Sequence, residues 1–221
     1  MINILHMQYS IHEDWCYNAF QHYIKPGMKV VVIPFSFSQS EIYDDITWAK
    51  YYGKENGIYY AGIIESFRRY GIDACYISMI DYFQTSKEEA KLMIKNADII
   101  YLPGGLPDKM YEKIVEFSLL EVIMSHKGVV IGHSAGAMIQ LDEYFISPDW
   151  DYSEFGYYPG LGLVKGFGIE VHFRDLKTQF DAIKKYMIEK HKNVYAITDQ
   201  GALIVDNGKI SVIGDVKYYA T

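Results

Sequence analysis

Gly128-Val129-Val130-Ile131-Gly132-His133-Ser134-Ala135-Gly136 is the stretch on which the reading of this chain turns. Val129-Val130-Ile131 is a short apolar run suited to a buried strand, and Ala135 to Leu141 reads as the start of a helix. A serine held between glycines at a strand-to-helix junction is a nucleophile elbow. The tight turn exposes the hydroxyl, small neighbours avoid clashes, and the first free N–H groups of the helix point at any oxyanion formed there. The competing reading makes Ser134 an N-cap between two packing glycines, and its place after a buried strand favours the elbow.

Working outward, strands alternate with helices. Ile2 and Ile4 mark a first strand, and Glu13 to Tyr23 carries helical spacing that stops at Pro26-Gly27. Lys29 to Ile33 is a buried strand, and Pro34 to Ser40 is the loop at its end. Glu41 to Tyr70 reads as helical with breaks at Gly53, Gly57 and Gly62. Ala74 to Ile77 is a strand, Ser86 with Glu89 forms a capping box opening a helix to Lys95, and Asp98 to Leu102 is the strand that ends in Pro103-Gly104-Gly105. Asp108 to His126 reads as one helix, and Ser147 to Gly168 as a long loop of the kind that carries function. Phe167 to Phe173 is a strand, Asp175 to His191 a helix, and Val194 to Thr198 a strand. Leu203 to Val205 and Ile210 to Val212 flank Asp206-Asn207-Gly208, a hairpin turn signal. The alternation predicts an α/β fold, a three-layer architecture with a mostly parallel sheet, helices on both faces and a C-terminal β-hairpin.

With 221 residues the chain suits a single domain spanning residues 1–221. No apolar stretch reaches membrane-span length, Met1 to Gln8 lacks the features of a secretory signal, and a cytoplasmic protein is expected. Cys16 and Cys75 read as reduced core thiols, and no residues stand at metal-ligand spacing. The formal charge of −7 and the lack of a Lys/Arg block argue against nucleic acid as a partner. The 21 tyrosines are scattered and read as half-buried packing.

A serine hydroxyl needs a base within hydrogen-bond reach and an acid to orient that base. Among seven histidines, His6, His12 and His22 lie in the first unit, His126 and His191 sit at helix ends, and His133 is adjacent to the serine and reads as packing or support. His172 follows the apolar segment Gly168 to Val171 at a strand's end, which makes it the candidate base. Of the carboxylates Asp142, Asp149, Asp151, Glu154, Asp175 and Asp199, two are preferred: Asp149 in the long loop and Asp199 at a strand's end. The oxyanion donors expected are the N–H groups of Ala135 and Gly105, with Gly104 beside them.

Tyr101-Leu102-Pro103-Gly104-Gly105, Gly132 to Ala137, Gly160 to Val164, His172-Phe173 and Asp199 to Leu203 together resemble the dipeptidase E and cyanophycinase family of serine peptidases, in the family's order. The resemblance implies a fold like that of class I glutamine amidotransferases, peptide hydrolysis through an acyl-enzyme, Ser134 as nucleophile and His172 as base. It implies a carboxylate at Asp149 in one assignment of the triad and around Asp199-Gln200 in another. Gln200 stands where relatives often carry glutamate, so the second assignment rests on Asp199. Leu106-Pro107 departs from the polar residue usual after the glycine pair. Arg174, Lys177, Lys184 and Lys185 give no clear match to the arginine that selects aspartate in dipeptidase E. The expectation is a serine peptidase acting on a small peptide substrate, needing no cofactor or metal, with room for a homodimer. An α/β-hydrolase-type esterase using His191, and a non-catalytic ligand-binding scaffold, are the rival readings.

Overall fold

The computed structural model describes residues 1–221. In chain order the first half contains β1 (Ile2–His6), α1 (Asp14–Phe20), β2 (Val30–Val32), α2 (Asp45–Tyr52), α3 (Tyr60–Arg68), β3 (Ile77–Met79), α4 (Lys87–Lys95) and β4 (Ile99–Leu102). There follow α5 (Pro107–Glu116), α6 (Leu120–Met124), β5 (Val129–His133) and α7 (Ala135–Met138). The chain ends with β6 (Glu143–Ile146), β7 (Gly156–Pro159), β8 (Phe167–Glu170), α8 (Lys177–Lys190), β9 (Asn193–Asp206) and β10 (Lys209–Tyr219).

The main sheet runs β10-β9-β1-β5-β4-β2-β3, with β8 pairing β9 beside β1. β1, β5, β4, β2 and β3 are parallel, which fits their continuous apolar runs. Alternate residues of each strand feed opposite faces. Val30, Val32, Ile99, Tyr101 and Ile131 pack with Phe20, Trp48 and Phe67 of α1 to α3, while Val31, Ile100, Leu102 and Val130 pack with Ile94, Met110 and Ile123 of α4 to α6. The expected three layers and C-terminal hairpin are present, and Asn207 (φ 49°) with Gly208 (φ 81°) makes the turn between β9 and β10.

Several local expectations are corrected. Gly53 and Gly57 separate α2 from α3, but Gly62 lies inside α3, where nothing crowds it. Ala74 to Tyr76 is a 3₁₀ turn, so the strand there starts at Ile77, and Cys75 in that turn is exposed while Cys16 is buried. The helix read over Asp108 to His126 is two helices, because Ser118 adopts φ 57° between them. The long loop after the elbow helix contains β7, paired antiparallel with β6. The two strands read in 194–205 are one bent strand, β9.

That bend organises the site. The first four residues of β9 pair in parallel with β8, and Ala202 to Asp206 pair antiparallel with β1. β8 and β1 therefore run toward each other along β9, and their carboxyl ends meet over residues 197–201. There β9 bulges: Ile197 pairs Val216 and Gly201 pairs Gly214, so Thr198, Asp199 and Gln200 face the single residue Asp215. A bulge of this kind re-aims a side chain out of the ladder.

Candidate active site

β5 is buried throughout and ends in His133, whose partner across the ladder is His6 at the end of β1. The next residue, Ser134, has φ 51° and ψ −107°, a sparsely populated conformation for a residue with a side chain. Its N–H donates to His6 O at 2.9 Å, and Met138 N–H donates to Ser134 O at 3.0 Å. The flanking glycines are dictated by contact. A Cβ on Gly132 would lie 2.0 Å from Gly136 O, and one on Gly136 would lie 1.9 Å from Leu102 O, so β5, α7 and β4 approach too closely for any larger residue.

The other groups arrive from the opposing strand. His172 follows β8 in the left-handed region at φ 48°, and its Nε2 lies 2.9 Å from Ser134 Oγ. Its Nδ1 lies 2.6 Å from Asp199 Oδ1 on the β9 bulge. The carboxylate fixes the proton on Nδ1, which leaves the Nε2 lone pair facing the serine hydroxyl. Arg174 Nη2 lies 3.4 Å from the other oxygen of Asp199. Partial burial raises the Asp199 pKa, but the hydrogen bond and charge of His172, with Arg174 behind them, outweigh it and hold the carboxyl below its usual range.

Of the two preferred acids the structure thus brings Asp199 to His172. Asp149 does not reach it: its Oδ1 accepts the N–H groups of Asp151 and Tyr152 at 2.9 and 2.8 Å, an Asx turn that shapes the loop before β7. Asp142 and Asp175 lie against Lys192 and Lys217. His191, the base an esterase reading required, is the left-handed C-cap of α8, and the position against Ser134 is held by His172.

The glycine pair divides its labour. Gly104 N–H donates to His133 Nδ1 at 3.1 Å, so this residue positions the loop beside the expected donor Gly105. Gly105 has φ 127°, and a Cβ there would lie 2.3 Å from Ser36 O, so only glycine fits. Its N–H has no acceptor within the protein, and Ala135 N–H belongs to the first turn of α7, which a helix leaves free. His133 stacks on His6 at 5.7 Å and lies 4.1 Å from the ring of Tyr9. Burial, with the nearby His172 adding to it, pushes the His133 pKa down to about 3, so it stays neutral and accepts from Gly104.

Three contributors escaped the sequence reading. Ser36 holds the glycine loop: its hydroxyl donates to Gly104 O, and its carbonyl accepts from Leu106 N–H at 2.7 Å. Buried Gln179 of α8 donates to the carbonyls of Val171 and His172 at 3.3 and 3.2 Å and accepts from Arg174 N–H at 2.9 Å, clamping the turn that presents the histidine. Glu170, the last residue of β8, is buried with Ser147 Oγ donating to it at 2.6 Å. A charged residue inside an apolar strand, two positions before the candidate base, was the signal for it.

Ser134 and His172 lie where two cavities meet. One, of about 800 Å³, is bounded by Met138, Phe145, Ile146, Asp149, Glu170 and Arg174. The other, of about 610 Å³, is bounded by Ser36, Ser38, Glu41 and the rings of Tyr9, Tyr51, Tyr52 and Tyr59. No group of His, Cys, Asp and Glu side chains has metal-ligating geometry, and no helix is long and apolar enough to cross a membrane.

The family model of Peptidase family S51 matches residues 54–213. A crystal structure from Listeria monocytogenes EGD-e, provisionally assigned as a peptidase E protein, aligns with a TM-score of 0.66 at 17% identity, over 97% of this chain and 98% of that one. A peptidase from an acI-B1 Actinobacterium aligns with a TM-score of 0.64 at 16% identity, over 100% of this chain and 94% of that one. These likenesses establish a shared fold. No curated protein matches the chain.

Proposed function

The chain belongs to Peptidase family S51 and is a serine-type peptidase, and from that premise we propose that it hydrolyses small peptides through an acyl-enzyme on Ser134, with His172 as base and Asp199 as the orienting acid. The observation that carries this reading is the relay Ser134 Oγ to His172 Nε2 at 2.9 Å and His172 Nδ1 to Asp199 at 2.6 Å. As Ser134 Oγ attacks the scissile carbonyl carbon, its proton passes to Nε2, and Asp199 stabilises the resulting imidazolium. The carbonyl oxygen becomes an oxyanion, for which Gly105 and Ala135 N–H are the free donors. Collapse of the tetrahedral species breaks the C–N bond as Nε2 returns the proton to the leaving amine. Water then attacks the ester with His172 again as base, and Ser134 leaves with its proton restored.

The two clefts flanking Ser134 give the acyl and amine portions separate spaces, each with room for a residue or two, which suits a short peptide. Wild-type protein should be labelled by a fluorophosphonate and release amino acids from a mixed dipeptide library, and Ser134→Ala should do neither. Labelling or release that persists in Ser134→Ala overturns the assignment.

A further inference from the structure

The cavity bounded by Glu170 has an unbalanced charge. Glu170, Asp149 and Asp151 contribute carboxylates, and the one cation bordering it, Arg174, lies against Asp199. Glu170 is 4% exposed, and no lysine, arginine or histidine pairs with it. Its only neutral supports are the Ser147 hydroxyl at 2.6 Å and the amide of Gln179 beside it, whose protons already serve Val171 O and His172 O. Burying a carboxylate without a cation is costly, and here burial pushes the Glu170 pKa up to about 7. The rest of the lining is mixed, and Met138, Phe145 and Ile146 supply part of its apolar share.

A cavity that holds both a reactive serine and a buried, cation-free carboxylate, with aliphatic and aromatic side chains in its lining, suits a long aliphatic stem with a positive head. Resting on the peptidase reading above, we propose that Glu170 is a specificity-determining residue, receiving the side-chain cation of a lysine- or arginine-type residue next to the scissile bond. The stem lies along Met138, Phe145 and Ile146, and the head completes the ion pair that the protein leaves unmade. An acidic side chain in the same place would meet three carboxylates, with its only cation already engaged, so this site selects against aspartyl and glutamyl residues.

The test compares the dipeptides Lys-Ala and Ala-Lys with Nle-Ala and Ala-Nle, which keep the stem and lose the charge, and with Asp-Ala and Ala-Asp. For one of the two orders, kcat/KM for lysine should exceed that for norleucine by about ten- to a hundredfold, the range of one buried charge-assisted contact. Aspartate should be the poorest of the three. Glu170→Gln should bring the lysine-to-norleucine ratio to about one, while Glu170→Asp, which keeps the charge, should retain a preference for the cation. A wild-type ratio at or below one in both orders, or a ratio that Glu170→Gln leaves unchanged, overturns the proposal. Fluorophosphonate labelling of Ser134 separates the two levels: labelled protein without a lysine preference defeats this inference and spares the peptidase reading. Should no peptide be cleaved, calorimetry of wild type with lysinamide against norleucinamide decides the role of Glu170, since equal binding of the two overturns it.

Discussion

Asp199 and Asp149 are both candidates for the orienting acid, yet only Asp199 touches the imidazole, and the chemistry should separate them sharply. Asp199→Asn keeps the shape but turns an acceptor of the Nδ1 proton into an amide that can favour the wrong tautomer, so kcat should fall by about 10³- to 10⁴-fold. Asp149→Asn retains an oxygen for the N–H groups of Asp151 and Tyr152, so kcat should stay within about threefold and any loss should fall on KM. Steady-state kinetics on both variants measures this, and a larger kcat loss for Asp149→Asn would reverse the assignment. Glu170 gives a second residue-level outcome, in stability. Its pKa is about 7 in the folded chain against an ordinary 4.5, so between those values the native state binds more protons than the unfolded one. Stability contributed at this site therefore falls as pH rises through that window and stays low above it. Glu170→Gln removes the titration, so its advantage over wild type should be near zero around pH 4.5 and grow to about 3 kcal/mol at most by pH 8. Thermal melts of the pair across this range check it, and a difference independent of pH would contradict the buried, uncompensated carboxylate.

At the scale of elements, the bulge in β9 is what converts a strand residue into a partner for His172. Gly214 makes it possible: it has φ 67°, and a Cβ there would lie 2.0 Å from Gln200 O. Gly214→Ala should lower stability by about 2 kcal/mol or more and lower kcat as well, because relief of the clash moves residues 198–200. Gly62→Ala is the contrast. With φ in the ordinary range, no neighbour within 4 Å and a place inside α3, it should stabilise by about 0.5–1 kcal/mol without altering kinetics. Urea melts that ranked the two in the opposite order would show that the backbone geometry at one of them is misread. These two glycines also show what the sequence made legible. The elbow and the glycine pair were readable because local sterics select their residues: Gly132, Gly136 and Gly105 each sit where a Cβ would strike backbone. The split between α5 and α6 was hidden, since Ser118 at φ 57° is an ordinary residue in an uncommon conformation. The bulge was hidden too, because it depends on β8 and β1 meeting along β9, a pairing far apart in sequence. Choosing Asp199 over Asp149 required that pairing, and so did finding Glu170 beside Ser147.

At the scale of the whole molecule, the core is arranged so that no part of it can be lost alone. Ile4 and Leu5 are neighbours on β1, yet one packs with the α1 to α3 face and the other with the cluster around α7 and β9. Val31 and Val32 on β2, Ile100 and Tyr101 on β4, and Ile204 and Leu203 on β9 are divided in the same manner between clusters. A strand that leaves the sheet therefore exposes apolar surface on both of its faces at once. α8 is tied in as well, since Ile183 and Tyr186 pack with Val194 and Ala196 of β9 and with Phe145 of β6. The site follows the same logic, with Ser134 after β5, His172 after β8 and Asp199 on β9, so its geometry exists only when all three strands are placed. We therefore expect residues 1–221 to behave as one domain. In urea, the tryptophan fluorescence of a Trp15→Phe/Trp150→Phe variant, which leaves buried Trp48 as reporter, and far-UV circular dichroism, which reports on the secondary structure as a whole, should give superimposable transitions. Fluorophosphonate labelling of Ser134 should disappear over the same range. Labelling lost well before the backbone signal would place residues 172 and 199 on a segment that opens separately, and two resolved transitions would divide the chain into independent units.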